Sequence, residues 1–462
     1  MPACDLVLKG GTIVTASGSF QGDLAIKDGL IVGLSQGEST PSASEILDVS
    51  EKHLLPGVID SHVHLRFPGN PERETFATGT RAAAAGGVTT ILEHPISVPA
   101  VHTAEVLARR REVSGPQAYV DYAFFAAAGE ENLEEIPALA QAGAIAFKTF
   151  LHAAPPGREK EFYGLTATDE GALYQVLETV GRTGLISAVH AESNSIVQHM
   201  IGRLSSEGRQ DITAHQDSRP VLAELVSVAG LLEMADAAGA RLLVCHISGG
   251  SVARKLRQAR MEGHDVLVET CPHYLFLTTD DTPELGPYAK INPPIRDRRE
   301  QESLWEELAL GTVDFIGSDH GPFLPQDKDP GWEDIWPTPA GAVGLETMVP
   351  LLLDAAADGR LELEQLAFLT SESAAVEFGL WPRKGCLAPG SDGDVTVVDL
   401  RKEQTFDRSR MFTRSQDSAR LYEGRTVTGR VEMTVVRGEV VFRQGEILGR
   451  EGFGQFLAPQ DV

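Results

Sequence analysis

A pair of histidines, His62 and His64, follows the apolar run Leu54–Ile59 near the start of the chain. The run predicts a short buried strand. Because side chains alternate between the two faces of a strand, both imidazoles project from one face at its carboxyl end. Two neutral imidazoles placed in this way are half of a metal site. Taken alone, the pair is equally compatible with two hydrogen-bonded histidines at the end of a strand.

Four more polar residues stand where later apolar runs end. These are Lys148, His190, His246 and Asp319. If the runs are parallel strands of one barrel, all six side chains converge on the same mouth, at the carboxyl ends of the strands. Four imidazoles and a carboxylate suit zinc or a similar divalent ion. The set as a whole therefore predicts a metal site.

Each of these residues also has an ordinary structural explanation. Lys148 could extend its ammonium group to solvent or to a carboxylate while its stem is buried. His190 and His246 could be hydrogen-bonded core histidines. Asp319 could cap a following helix. All of these explanations would have to hold together, each falling on a strand end by chance, so we favour the metal site.

The middle of the chain alternates short runs rich in β-branched residues with helical stretches rich in Ala, Leu and Glu. This alternation is typical of a parallel sheet covered by helices. The runs are Val58–Ile59, Val88–Leu92, Tyr122–Phe125, Ala144–Phe147, Leu185–Val189, Leu242–Val244, Asp265–Val268 and Val313–Ile316. Eight strands predict an α/β fold, a (β/α)8 TIM barrel. A doubly wound open sheet is less favoured, because no glycine-rich phosphate loop follows any of the runs.

Both ends of the chain have a different pattern. Short alternating bursts, separated by Gly-Gly, Gly-Asp and Asp-Gly pairs, predict β-hairpins near the start, and a similar style returns from Asp394 onward. Neither end has enough strands for a sandwich of its own. We therefore expect a composite β-sandwich domain from residues 1–54 and 385–462, with the barrel, residues 55–384, inserted between its halves.

The composition is that of a folded protein with a large core, since 42% of the 462 residues are hydrophobic and 23% are charged. A net charge of -26 argues against nucleic acid and anionic membranes as partners. Four scattered cysteines without a Cys-x-x-Cys pair favour a reducing compartment. The start, Met1–Asp5, shows no leader pattern, and no window approaches the ~20 apolar residues that span a bilayer. We expect a cytoplasmic protein.

Together these motifs resemble the cyclic-amide branch of the amidohydrolase superfamily, which comprises hydantoinases, dihydropyrimidinases, allantoinases and dihydroorotases. The resemblance covers nearly the whole chain. Beyond the metal motifs it rests on AGGVTT at 85–90, ETCPHYL at 269–275 and NPPIR at 292–296. Within the branch, SDHG at 318–321, DKDPGW at 327–332, AGAVGLET at 340–347 and EGFGQF at 451–456 are most similar to L-selective hydantoinases.

The resemblance implies a hydrolase with a binuclear metal centre. The ligands implied for one metal are His62, His64 and Asp319, and those for the other are His190 and His246. Lys148 would bridge the metals as N6-carboxylysine, a carbamate formed with carbon dioxide. Two divalent ions are implied, Zn²⁺ first, with Mn²⁺ or Co²⁺ as alternatives. A hydroxide bridging them would attack the ring carbonyl, and Asp319 would carry the proton to the departing nitrogen.

Two signals about the substrate conflict. Arg66 stands where dihydroorotases have an arginine that binds the substrate carboxylate. The asparagine that follows Met-Pro in the second-strand loop of dihydroorotases and allantoinases is missing, because the chain has EHPIS at 93–97. A surface salt bridge of Arg66 with Glu72 or Glu74 is the structural alternative.

The tyrosine that follows the bridging lysine in dihydropyrimidinases and D-selective hydantoinases is also missing, because residues 149–153 are TFLHA. This departure favours the L-hydantoinase-like group and leaves the oxyanion donor open. Asn292 is implied as a substrate-binding residue through its backbone groups, and His273 is a weaker candidate. We expect a small cyclic amide as substrate, hydantoin-like or a dihydropyrimidine, with dihydroorotase or allantoinase activity as the alternative. A non-catalytic assembly protein is a minor alternative, and family likeness implies a homo-oligomer, dimer or tetramer.

Overall fold

The computed structural model describes residues 4–36 and 42–459. Met1, Pro2 and Ala3, on which the expectation of a missing leader partly rests, lie outside these ranges, as do residues 37–41 and 460–462 of the terminal segments. The first five strands are β1 (Cys4–Thr15), β2 (Gly18–Lys27), β3 (Leu30–Ser35), β4 (Ala43–Asp48) and β5 (His53–Pro56). Within the described ranges, no helix is both long and apolar enough to cross a membrane.

A closed parallel barrel follows. Its strands are β6 (Val58–Val63), β7 (Val88–Glu93), β8 (Asp121–Phe124), β9 (Ala126–Ala127), β10 (Phe147–Phe150), β11 (Ser187–His190), β12 (Leu242–Val244), β13 (Val266–Thr270) and β14 (Phe315–Ile316). β8 and β9 are one barrel strand interrupted at Phe125, whose amide donates to Glu93 O at 2.9 Å. The His64 amide donates to His320 O at 2.7 Å and closes the ring between the first and last strands. The predicted TIM barrel is confirmed.

Helices cover the outside of the barrel and its loops. They are α1 (Phe76–Ala85), α2 (Ala104–Ser114), α3 (Ile136–Gln141), α4 (Glu170–Gly181), α5 (Asn194–Ser206), α6 (Ile212–Ser218), α7 (Val221–Ala238), α8 (Gly250–Glu262), α9 (Pro272–Phe276), α10 (Thr282–Leu285), α11 (Arg298–Ala309), α12 (Pro325–Lys328), α13 (Met348–Ala357), α14 (Leu363–Ala367) and α15 (Ser373–Glu377). Local signals explain where several of them begin. The Asp169 side chain, for example, accepts the Ala172 amide at 2.9 Å and so caps α4.

The two ends of the chain meet in a single nine-stranded sheet. Its carboxyl-terminal strands are β15 (Val395–Thr405), β16 (Thr426–Val436), β17 (Glu439–Arg443) and β18 (Glu446–Ile447), and β15 pairs with β5. β1 changes partner along its length, from β4 to β5. Buried side chains from both ends of the chain pack in one apolar cluster. It includes Leu8 and Leu24 from the amino-terminal strands and Val395 and Val435 from the carboxyl-terminal strands. The predicted β-sandwich, built from both termini, is confirmed.

The fourth barrel strand begins later in the chain than the apolar run that predicted it. The fourth apolar run was Ala144–Phe147, whereas β10 begins at Phe147 and contains Lys148, which pairs with Ala188 of β11 and Ala127 of β9. Lys148 therefore lies inside the barrel wall rather than just beyond it. Residues 144–146 are apolar because the segment that leads into the strand is buried. Ala144 and Ala146 have no exposed surface, and Ile145 exposes 1% of its surface.

Candidate metal centre

Three predicted ligands meet at the carboxyl ends of β6 and β14. His62 Nε2 and His64 Nε2 are 3.2 Å apart, and each faces Asp319 Oδ1, at 3.5 and 3.4 Å. Ligand atoms at about 2.0–2.2 Å from a tetrahedral zinc ion lie roughly 3.3–3.6 Å from one another. The three atoms therefore have the separations that one shared divalent ion requires.

A second group lies beside the first. His190 Nδ1 is 3.2 Å from His246 Nε2, and the His246 ring centroid is 5.2 Å from that of His62. Lys148 is fully buried, and its Nζ makes no hydrogen bond with any residue that the structure describes. The alternative of a solvent-exposed or salt-bridged lysine is therefore wrong. A buried amine without a hydrogen-bond partner among the described residues is costly, which fits a group that is completed by modification and metal binding.

The backbone at this site has an unusual conformation. His246 and Asp319 have left-handed φ angles of 37° and 48°. Such angles are rare outside glycine and cluster at functional sites. Gly317 lets the last strand approach the first, since a Cβ atom there would lie 2.8 Å from the Cβ of His62. No helix begins directly after Asp319, because the next one, α12, starts at Pro325, so the helix-cap alternative is wrong.

Two of the proposed ligand histidines are hydrogen-bonded to buried carboxylates through the ring nitrogen that does not face the site. His62 Nδ1 donates to Glu269 Oε1 at 2.6 Å, and His190 Nε2 donates to Glu192 Oε2 at 2.8 Å. A carboxylate in this position fixes the tautomer of a ligand histidine and raises its basicity. Sequence reasoning did not assign these two residues, although both belong to motifs at strand ends.

Electrostatics keep the imidazoles neutral, as metal ligands must be. Burial, with help from neighbouring cationic groups, holds the pKa of His62, His64, His190 and His246 well below the ordinary value. Burial raises the pKa of Glu269 to about 8, while the Lys148 ammonium opposes the rise. Bound metal cations would also oppose this rise, because a nearby positive charge favours the ionised carboxylate.

His94, the residue directly after β7, was overlooked as a site residue. Its ring stacks on that of His62 with centroids 3.7 Å apart, and both of its nitrogens are buried without a hydrogen bond in the described chain. Donor atoms of His62, His64 and His94 lie within 4.8 Å of one another and could together hold a metal ion. The strand-end rule that identified the other histidines also applies to this one.

The predicted substrate residue Arg66 is buried next to the site, with 3% of its surface exposed and a φ of 59°. Its Nη1 donates to Glu161 Oε2 at 3.3 Å, and its guanidinium lies 4.6 Å from the Phe323 ring centroid. The alternative of a surface salt bridge with Glu72 or Glu74 is therefore wrong. The Glu93 side chain accepts the Arg66 amide at 3.3 Å and supports this backbone.

The other two predicted substrate residues, Asn292 and His273, each bury a polar atom. Asn292 Oδ1 and His273 Nε2 have no hydrogen-bond partner among the described residues. His152 belongs to the segment that lacks the tyrosine, and its ring centroid lies 6.1 Å from that of His190. The Nδ1 of His152 is occupied by Ala153 O at 2.7 Å, which leaves Nε2 as its free nitrogen.

Comparison with known proteins agrees with this architecture. The family model described as "Amidohydrolase family" matches residues 53–441. The chain is 36% identical to an L-hydantoinase of Paenarthrobacter aurescens, covering 98% of each chain, and 36% identical to an allantoinase of Deinococcus radiodurans, covering 99% of each. The solved structure of L-hydantoinase (dihydropyrimidinase) from Arthrobacter aurescens superposes with a TM-score of 0.94 at 36% identity, covering 98% of this chain and 100% of that one.

The chain therefore belongs to the amidohydrolase family, and the resemblance expected from its motifs is confirmed. It is a hydrolase of the group whose similar members carry hydantoinase, dihydropyrimidinase and allantoinase names.

Proposed function

We propose that this enzyme opens a five- or six-membered cyclic amide ring, hydantoin-like by preference, with two divalent metal ions. The proposed ligands are His62, His64 and Asp319 for one ion and His190 and His246 for the other, bridged by carboxylated Lys148. The observation that carries the proposal is the set of ligand-atom separations of 3.2–3.5 Å beside a buried lysine amine that has no hydrogen bond within the described ranges.

When bound, the metals would lower the pKa of water to give hydroxide near neutral pH and would polarise the carbonyl that is attacked. Zn²⁺ suits the imidazole-rich ligand set best, with Mn²⁺ and Co²⁺ as alternatives. Carboxylation gives Lys148 two anionic oxygens in place of a cation that would repel both ions.

The chain's own residues move the proton and hold the ring. Asp319 is the most exposed of the proposed ligands, with 12% of its side-chain surface accessible. It can accept the proton of the attacking water and return it to the departing ring nitrogen. Asn292 is proposed to bind the ring through its backbone groups.

Arg66 is proposed to bind a polar or anionic substituent of the ring. Glu161 accepts a hydrogen bond from its Nη1, whereas its buried Nε donates to no residue in the part of the chain that the structure describes. A guanidinium can bind a carboxylate through two parallel hydrogen bonds. The buried guanidinium close to the proposed metal ligands keeps dihydroorotase-like activity as the second candidate, with allantoinase activity beside it.

A substrate panel tests the function. Hydantoin, 5-substituted hydantoins, dihydrouracil, allantoin and dihydroorotate are supplied to the metal-loaded enzyme, and ring opening is followed by absorbance and product analysis. We expect turnover of at least one hydantoin and a metal content near two ions per chain. An enzyme that retains no metal and opens none of these rings would support the non-catalytic alternative instead.

Replacing Arg66 with methionine tests the substituent site. A charged hydrogen bond contributes about 1.5–3 kcal/mol, so kcat/KM for a carboxylate-bearing ring should fall roughly 10- to 100-fold while that for unsubstituted hydantoin changes little. Arg73→Met is the matched control, because Arg73 also contacts Phe323 but pairs with Asp327. Equal losses on charged and uncharged rings would show that Arg66 has no role in recognising the substituent.

Three further proposals follow from the sequence and family. We propose a division into residues 1–54 with 385–462 and residues 55–384, supported by the change of sheet between β5 and β6. We propose a homo-oligomer, dimer or tetramer, which light scattering can test. We also propose a cytoplasmic location, supported by four cysteines that follow no disulfide pattern.

A further inference from the structure

Glu269 is a fully buried carboxylate beside the proposed ligands. It is the fourth residue of β13 and has no exposed surface. Its Oε2 accepts the Ser61 hydroxyl at 3.0 Å, and its Oε1 accepts both His62 Nδ1 at 2.6 Å and the backbone amide of His246 at 3.1 Å. Both oxygens are therefore engaged by donors of the protein.

The two bonds to Oε1 reach different halves of the proposed centre. Donation from His62 Nδ1 leaves the lone pair of His62 on Nε2, which faces His64 and Asp319. The bond to the His246 amide holds a residue whose left-handed φ of 37° is costly for a histidine. One oxygen atom thus orients a side chain in the first half-site and a backbone in the second.

Direct ligation by Glu269 is the competing explanation, since donor atoms of His62, Cys245 and Glu269 lie within 4.8 Å of one another. The hydrogen bonds argue against it. Both lone pairs of Oε1 are engaged, so ligation through this atom would leave the N–H group of His62 or His246 buried without a partner. The Ser61 hydroxyl holds Oε2 in its turn. The observed contacts are those of a group that supports ligands.

We infer that Glu269 is a positioning residue shared by both metal half-sites, so that its loss weakens binding of the two metals together. This inference rests on the proposed binuclear centre. Glu192 provides the contrast, because it bonds only to His190 among the proposed ligands and is otherwise paired with Arg219. Its loss should weaken one metal and spare the other.

The test is metal binding by the full-length chain after removal of metal with a chelator. Zn²⁺ is titrated in competition with a chromophoric chelator, so that two binding steps are resolved without any activity assay. For Glu269→Gln, which keeps the shape and loses the charge, we expect both steps to weaken by about 10- to 100-fold. For Glu192→Gln we expect a loss of that size in one step only. The visible spectrum of the Co²⁺-loaded protein should change at both sites in the first variant and at one site in the second.

Ser61→Ala is a milder second variant that keeps the carboxylate and removes only the bond to Oε2. We expect a smaller, parallel weakening of both steps, ~2- to 10-fold, which remains measurable if Glu269→Gln does not fold. Weakening of a single step in Glu269→Gln or Ser61→Ala would overturn the inference. A wild-type chain that binds no metal would instead refute the proposed function, so the two failures are distinguishable.

Discussion

Replacing Lys148 with methionine is expected to reduce ring opening by at least about 10³-fold, because without the bridging anion the centre loses its means of making hydroxide near neutral pH. The metal content should fall from two ions per chain to one or none. Stability should not fall, since methionine fills the same space and removes a buried amine that has no hydrogen bond. Initial rates, elemental analysis and thermal unfolding of the metal-free protein measure the three effects.

Lys290→Met is the matched control for removal of a buried lysine. Lys290 Nζ donates to the carbonyl oxygens of Ile335 at 2.6 Å and Trp336 at 3.0 Å. Its loss should therefore lower the melting temperature of the metal-free protein while leaving two metals bound. A Lys148→Met protein that keeps both metals and its activity would refute the bridging role of Lys148.

Replacing Asp319 with asparagine is expected to lower kcat by about 10²- to 10⁴-fold, the usual contribution of a positioned acid–base group. Asparagine keeps an oxygen ligand but cannot accept a proton at neutral pH. The loss should therefore appear in kcat more than in metal content. Steady-state kinetics across pH 5 to 9, with metal analysis at each end, give the measurement.

Asp327→Asn serves as its control, because Asp327 lies in the same region but pairs with Arg73, with no contact to the proposed ligands. Its rate and pH profile should match those of the wild type. If Asp319→Asn lost only metal, and regained full kcat when the metal was supplied in excess, Asp319 would be a ligand without a part in proton transfer.

Local patterns were sufficient for most of the fold. Barrel strands buried on both faces appear as continuous apolar runs, and hairpins at the chain ends appear as alternating bursts with Gly and Asp turns. The sequence pattern was less accurate about the limits of β10. Apolar residues mark burial, whether or not they belong to the hydrogen-bonded ladder, so residues 144–146 could not be separated from the strand by composition.

The six proposed ligands were found because each is at or near the end of an apolar run, and barrel topology brings strand ends together. Supporting carboxylates were missed for a different reason. Glu269 meets His62 across 207 positions of sequence, and the contact depends on which strand side chains turn inward at the same level of the barrel. The spacing of residues along the chain does not predict the level of the barrel at which a given side chain lies.

Arg66 shows most clearly which properties follow from the sequence and which follow from the tertiary structure. Its place two residues after His64, and the chemistry a guanidinium can perform, follow from the linear order of residues alone. Its burial and its partner Glu161 follow only from the tertiary structure, because the loops that carry the two residues are 95 positions apart and meet when the barrel closes. Residue types and strand ends define the available chemistry, whereas packing between distant loops decides which groups remain free to bind a substrate.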